Sequence, residues 1–257
     1  MLYKDVVESL QRKYATLFRK AIPNLNIDAD SIEIADHGLS NGEADQNFLD
    51  CGLGLSVREI YKRDTGNTQV GFTGKLLGWL PGQFMPEHRH RDIIAVPKSR
   101  GLDLKKPTGL NVVRLEDVVA DFSGLVGLDN DAYIFFTLAD DGVNIPSSNL
   151  PADSILIPGK AETFDIIYGD GSFFSSGNET ISPRYGIPKS QKPYVSHRRE
   201  LYLGAGQQLK LPPNTPHSAR AGSRGMVAIE YTMPSRHEAD IFTHPRIKRK
   251  PEIQKRK

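Results

Sequence analysis

Cysteine is nearly absent: Cys51 is the single one in 257 residues. That excludes an intrachain disulfide and any CxxC metal or redox site. No apolar run approaches the roughly 20 residues that a membrane-spanning helix needs. No leader-like segment precedes the first helical pattern, so the expected location is cytoplasmic, with no membrane partner. An excess of one charge is missing too: 33 Lys and Arg against 31 Asp and Glu leave +2. No global field therefore draws the chain to nucleic acid or a membrane surface. The basic end "RIKRKPEIQKRK" is a local exception. It has no interleaved aromatics and reads as a solvated or edge-packed tail, not a nucleic-acid site. Internal repeats and long low-complexity tracts are absent as well.

What remains is an ordinary globular composition in one generous domain, residues 1–257, or one domain carrying a sizeable insertion. Over residues 3–20, Val6, Val7, Leu10, Tyr14, Leu17 and Phe18 recur at the spacing of one apolar helical face. Pro23 and the polar "PNLNIDAD" end that helix. Short Val/Ile/Tyr/Phe runs between Gly, Pro, Asn and Asp clusters follow. They are "SIEIAD", "GLSVREIYKRD", "QVGFTGKLLGWLPGQFMPEHRH", "TFDIIYGDGSFFSS", "RRELYLGAGQQLKLPP" and "GMVAIEYTMP". No regular strand–helix alternation accompanies them, which argues against a parallel α/β sheet and for an antiparallel barrel or jelly roll. Residues 93–158 break the texture, with a possible short helix in "LEDVVADFSGLV", then "DAYIFFTLADD", then a polar loop. They read as an insertion.

The chain has 7 histidines, and His88 and His90 stand two apart in "PGQFMPEHRHRD". Alternate strand residues face the same way, so both imidazoles project together, as a pair of metal ligands would. Two further stretches each supply one ligand: "GKAETFDIIYGDG" has Glu162 and "GAGQQLKLPPNTPHSARAG" has His217. Three neutral imidazoles and one carboxylate suit a divalent first-row ion such as Mn2+, Fe2+, Co2+, Ni2+ or Zn2+. Taken singly, each residue has a plainer reading: a chance pair at a strand end, a solvated carboxylate, a turn histidine.

These residues resemble the cupin superfamily. Gly82, five residues, then His88-x-His90 matches the opening of the first cupin motif, and Glu162, six residues, then Gly169 matches its close. Residues 91–161 stand between the halves, so the motif is opened by the insertion; Asp92 or Glu116 could replace Glu162 as ligand. Gly206, Pro212 and His217 fit the second motif, with Asn214 where glycine is usual. Asn is the next-best residue for a left-handed turn. The implied fold is mainly β, a cupin double-stranded β-helix (jelly roll) with an N-terminal helix.

Longer stretches, "LPGQFMPEHRH", "GKAETFDIIYG", "LPPNTPHSARAG", "AIEYTMPSRHEADIFTHPRIKR" and the early "IEIADHGL", resemble in this order the D-lyxose ketol-isomerase family of cupins. The resemblance implies a divalent metal, commonly manganese, a homodimer, and interconversion of D-lyxose with D-xylulose, often also D-mannose with D-fructose. Such chemistry moves a proton from one carbon to its neighbour through an enediolate, so it needs a base facing a metal-held substrate. Glu230 interrupts the apolar "VAIEYT" and is the candidate base if it points inward; strand alternation could equally turn it to solvent. Lys160 is placed to bind a substrate oxygen or polarise the carbonyl, and Glu162 could share in proton transfer. Asp240 matches a family position expected to bind sugar hydroxyls, though it could also cap a turn. Trp79 and Phe84 read as core. His197, His237 and His244 show no usable spacing. Two other functions fit the ligands: an Fe(II) cupin oxygenase, which needs a dry apolar wall where an isomerase needs Glu230, and a non-catalytic sugar-binding cupin.

Overall fold

The computed structural model describes residues 2–36, 52–56, 73–99, 112–114, 132–138, 152–157, 159–232, 240–244, 247 and 253–254. In chain order these form β1 (Leu2–Tyr3), α1 (Lys4–Ala21), β2 (Glu33–Asp36), β3 (Gly52–Ser56), β4 (Thr73–Trp79) and β5 (Phe84–His90). Then come β6 (Ile93–Pro97), β7 (Val112–Arg114), β8 (Tyr133–Leu138), β9 (Ile155–Ile157) and β10 (Glu162–Ser175). The chain continues with β11 (Arg199–Gly204), β12 (Gln208–Leu211), β13 (His217–Thr232), β14 (Asp240–Phe242) and β15 (Ile253–Gln254). The expected helix at 3–20 is α1, with Asp5 in its first turn and Arg19 and Lys20 in its last, as the helix dipole favours. Ile22 N closes the last turn on Phe18 O, and Pro23 has no N–H to continue it.

Nine strands make the main sheet, in the order β11-β10-β13-β4-β3-β2, with β12 on β10 and with β5 between β13 and β14. All its pairings are antiparallel, as the many short strands led one to expect. Two long strands organise it. The first half of β10 pairs with β12 and the second half with β11. The last half of β13 pairs with β4 and its start with β5. Both strands break register near Gly169 and Gly225, where φ is +69° and +79°. A Cβ on Gly169 would lie 1.9 Å from the Gly225 carbonyl oxygen, so the two backbones cross where only glycine fits.

Strand alternation sorts the core into two layers. Leu77, Trp79, Met85, Phe164, Ile166, Phe173, Ala219, Met226 and Ala228 point into one interior cluster. Leu76, Val227 and Ile229 point the other way, under Leu10, Tyr14 and Phe18 of α1. Trp79 is fully buried edge-on to Phe173, and Phe84 packs on Phe174, so both are core residues as expected. Tyr14 also reaches through the layer. Its hydroxyl donates to Gln83 Oε1 at 2.6 Å, and that oxygen accepts from Leu80 N at 2.8 Å. The helix thereby holds the Leu80–Gln83 turn that feeds β5, a Pro-Gly turn with Gly82 at φ +72°.

Residues 93–158 contribute a separate four-stranded sheet, β7-β8-β6-β9. "DAYIFFTLADD" supplies β8, whereas the helix expected in "LEDVVADFSGLV", like Glu116 and His237, lies outside the described residues. The segment leaves and returns at one place. Asp92 Oδ1 accepts from Gly159 N at 2.6 Å, and a Cβ on Gly159 would sit 2.1 Å from the His90 carbonyl oxygen. The basic tail is edge-paired at β15, which runs parallel to β1.

Candidate active site

β5 presents His88 and His90 on one face, and β13 begins with His217 directly opposite His88. The ring centroids lie 4.4 Å (His88–His217), 5.1 Å (His88–His90) and 5.6 Å (His90–His217) apart. One nitrogen from each ring falls within 4.8 Å of the others, the spacing of a metal-ligand group. His88 Nδ1 is 3.0 Å from Pro86 O and His217 Nδ1 is 2.9 Å from Thr215 O. A carbonyl only accepts, so both Nδ1 atoms carry the hydrogen and each neutral ring keeps its Nε2 lone pair for a cation.

Glu162 opens β10 beside them. Its Oε1 lies 3.0 Å from His90 Nε2 and its Oε2 lies 3.1 Å from His217 Nε2. The second contact lacks the alignment of a hydrogen bond: His217 Nε2 and Glu162 Oε2 are both buried without a hydrogen-bond partner. Two lone pairs facing at that distance repel unless a positive charge lies among them. The donor set therefore fits a divalent ion held by His88, His90, His217 and Glu162. Burial alone would push the Glu162 carboxyl up. The electrostatic influence of the His90 imidazole, the Lys160 ammonium and the His217 imidazole outweighs it and holds the group well below the usual range.

The turns that carry these ligands explain the spacing. Gly82, Gly169 and Gly206 have φ of +72°, +69° and +87°, and Asn214 follows at +60°. Gly82 and Asn214 are left-handed turn positions that lead into β5 and β13, Gly206 lies in the turn between β11 and β12, and Gly169 sits at the bulge within β10.

Lys160 precedes β10 instead of lying on it, yet its Nζ is 2.7 Å from Glu162 Oε1 and 3.4 Å from Glu230 Oε1. Glu230 points inward and is 5% exposed. Of the other carboxylates weighed for the Glu162 position, Asp92 bonds the Gly159 backbone and so joins the ends of the inserted segment. Asp240 is placed by backbone register opposite His90 on β14, while Phe242 of the same strand stacks near His88 at 5.4 Å.

Sequence reasoning missed two residues. Lys75 is 2% exposed, pairs with Glu230 across β4 and β13, and reaches its Oε1 at 3.9 Å. A charge inside the apolar "TGKLLGWL" was the available signal, the same one that singled out Glu230. Glu87, on the opposite face of β5, accepts from Ser196 N, Ser196 Oγ, His197 N and Thr243 Oγ1 at 2.7–3.1 Å. His197 is thereby engaged by Glu87, and His244 stacks on Tyr194.

No family model matches the chain. Curated relatives do. The chain is 29% identical over 257 residues, 99% of both chains, to a D-lyxose/D-mannose isomerase from Thermosediminibacter oceani. It is 41% identical over 95 residues, 37% of this chain and 53% of the relative, to a D-lyxose ketol-isomerase from Thermofilum sp.. Among solved structures, the L-ribose isomerase of Geodermatophilus obscurus superposes with a TM-score of 0.57 over 99% of each chain at 13% identity, a likeness of fold alone. Ligand spacing, antiparallel architecture and these relatives agree: along its whole length the chain is similar to a D-lyxose/D-mannose isomerase, and over more than a third of it to D-lyxose ketol-isomerases.

Proposed function

We propose that this protein is a metal-dependent sugar ketol-isomerase that interconverts D-lyxose with D-xylulose, and D-mannose with D-fructose, by proton transfer through an enediolate. The observation that carries the reading is the buried Glu230 carboxylate, joined to the ligand Glu162 by a shared Lys160 ammonium. An isomerase needs such a base beside its metal. A divalent ion, Mn2+ in this proposal, bound by His88, His90, His217 and Glu162 supplies positive charge next to the substrate oxygens. Glu230 takes the proton from C2 of the open-chain aldose and returns it to C1, while the O2 hydroxyl proton passes to O1. Lys160 lies beside the oxygens and stabilises the negative charge that develops on them. Glu162 stays ionised and orients Lys160. Asp240 binds sugar hydroxyls. The protein works in the cytoplasm as a homodimer on free sugars.

The oxygenase alternative needs a dry apolar wall. Lys75, Lys160 and Glu230 put three buried charged groups there instead, which favours the isomerase. A non-catalytic sugar binder has no need of a base among intact ligands. The test is protein stripped of metal, reloaded with Mn(II) and incubated with D-lyxose or D-mannose in deuterated water. Metal-dependent product with deuterium at C1 or C2 by NMR is expected. No exchange on any of the four sugars with metal bound would reject the reading.

A further inference from the structure

Lys75 is a lysine in the middle of an apolar strand, and burying an ammonium is costly unless something in the fold uses it. Its neighbours on the inward face of β4 are Leu77 and Trp79, both core residues. In register it stands directly opposite Glu230. Lys75 Nζ at 3.9 Å and Lys160 Nζ at 3.4 Å approach the same oxygen of that carboxylate, Oε1. The second oxygen, Oε2, lies outside both contacts. Lys160 is also closer to Glu162, at 2.7 Å, so it is shared, whereas Lys75 comes from the strand paired with the base.

We propose that Lys75 is a positioning residue for the base. With Lys160 it pins Oε1 of Glu230, so that Oε2 is the oxygen presented to the substrate carbons. The inference rests on Glu230 being the base. Two cations from different strands fix a carboxylate against rotation better than one, and proton transfer between neighbouring carbons is sensitive to displacements of about 1 Å.

The experiment compares Lys75→Met, Lys75→Gln, Lys75→Arg, Glu230→Gln and Lys75→Met/Glu230→Gln, all as full chains reloaded with Mn(II), on D-lyxose. Lys75→Met is expected to keep its metal and lower kcat by about 10- to 100-fold with KM within about threefold. Lys75→Arg should recover a large part of that loss. In the Glu230→Gln background the Lys75→Met change should alter the residual rate by less than about twofold, because residues acting through one another are not additive. Wild-type kcat in Lys75→Met beside an inactive Glu230→Gln overturns this proposal alone. An equal loss in the Glu230→Gln background, or an effect confined to KM, also overturns it, since Lys75 would then act on the substrate. Full turnover by Glu230→Gln removes the base and the proposal together. If Lys75→Met fails to fold, Lys75→Gln is read in its place; collapse of both assigns Lys75 to structure and overturns the proposal.

Discussion

β4 and β13 carry two chemistries on the two faces of one ladder. On the outer face Leu76 opposes Ile229, and both pack beneath α1 with Val227. One residue further along, Lys75 opposes Glu230 on the inner face. The backbone pairing is the same, and both faces are largely buried. The outer face is sealed by the apolar side of α1, so it takes aliphatic side chains. The inner face closes over His90, His217, Lys160 and Glu162, so charge there meets opposite charge. What the pair of faces teaches is that burial by itself does not decide polarity; the partner across the gap does.

Substitutions on the two faces should separate activity from stability. The largest effect belongs to the ligands. His217→Ala is expected to lose bound metal and to lower activity at least roughly 1,000-fold, read by metal analysis and turnover together; activity with metal retained would remove His217 from the ligand set. Glu162→Gln should weaken Mn(II) binding through loss of the carboxylate charge, by more than about 100-fold in titration calorimetry. Glu230→Gln should keep the metal and lower kcat by about 100- to 10,000-fold. On the outer face, Phe18→Ala should cost about 3–5 kcal/mol of stability in denaturant unfolding while kcat is unchanged under native conditions; a parallel fall in kcat would mean that the faces are not independent. At the rim, Tyr231→Ser, whose side chain is 37% exposed, should change stability by less than about 0.5 kcal/mol and leave metal affinity alone.

Much of this site is legible before any fold is known, and the reasons differ by residue. His88 and His90 are readable because a strand has a period of two, so neighbours at i and i+2 share a face without any tertiary information. His217 is readable through the spacing from Gly206 and through its own turn, where Asn214 occupies a left-handed position that few other residues tolerate. Glu162 is harder, because residues 91–161 separate it from its partner histidines. Only the downstream glycine spacing points to it, and the hydrogen bond from Gly159 N to Asp92 shows how the two halves of the motif are brought together. Glu230 is ambiguous in sequence, since an alternating strand has two faces and nothing local says which is inside. Lys75 escapes because a lone lysine in an apolar run names no partner. Glu87 escapes because its donors, Ser196, His197 and Thr243, are remote in the chain.

Local chemistry in the sequence determined the helix, the strand-rich texture, the turn positions and which histidines stand as candidate ligands, because each depends on periodicity or on the steric demands of single residues. Tertiary structure alone decided that Glu230 faces inward, that Lys75 stands opposite it and that Lys160 bridges two carboxylates. Those outcomes depend on cross-strand register and on α1 covering the other face, and register is set by long-range pairing that no short stretch of residues contains.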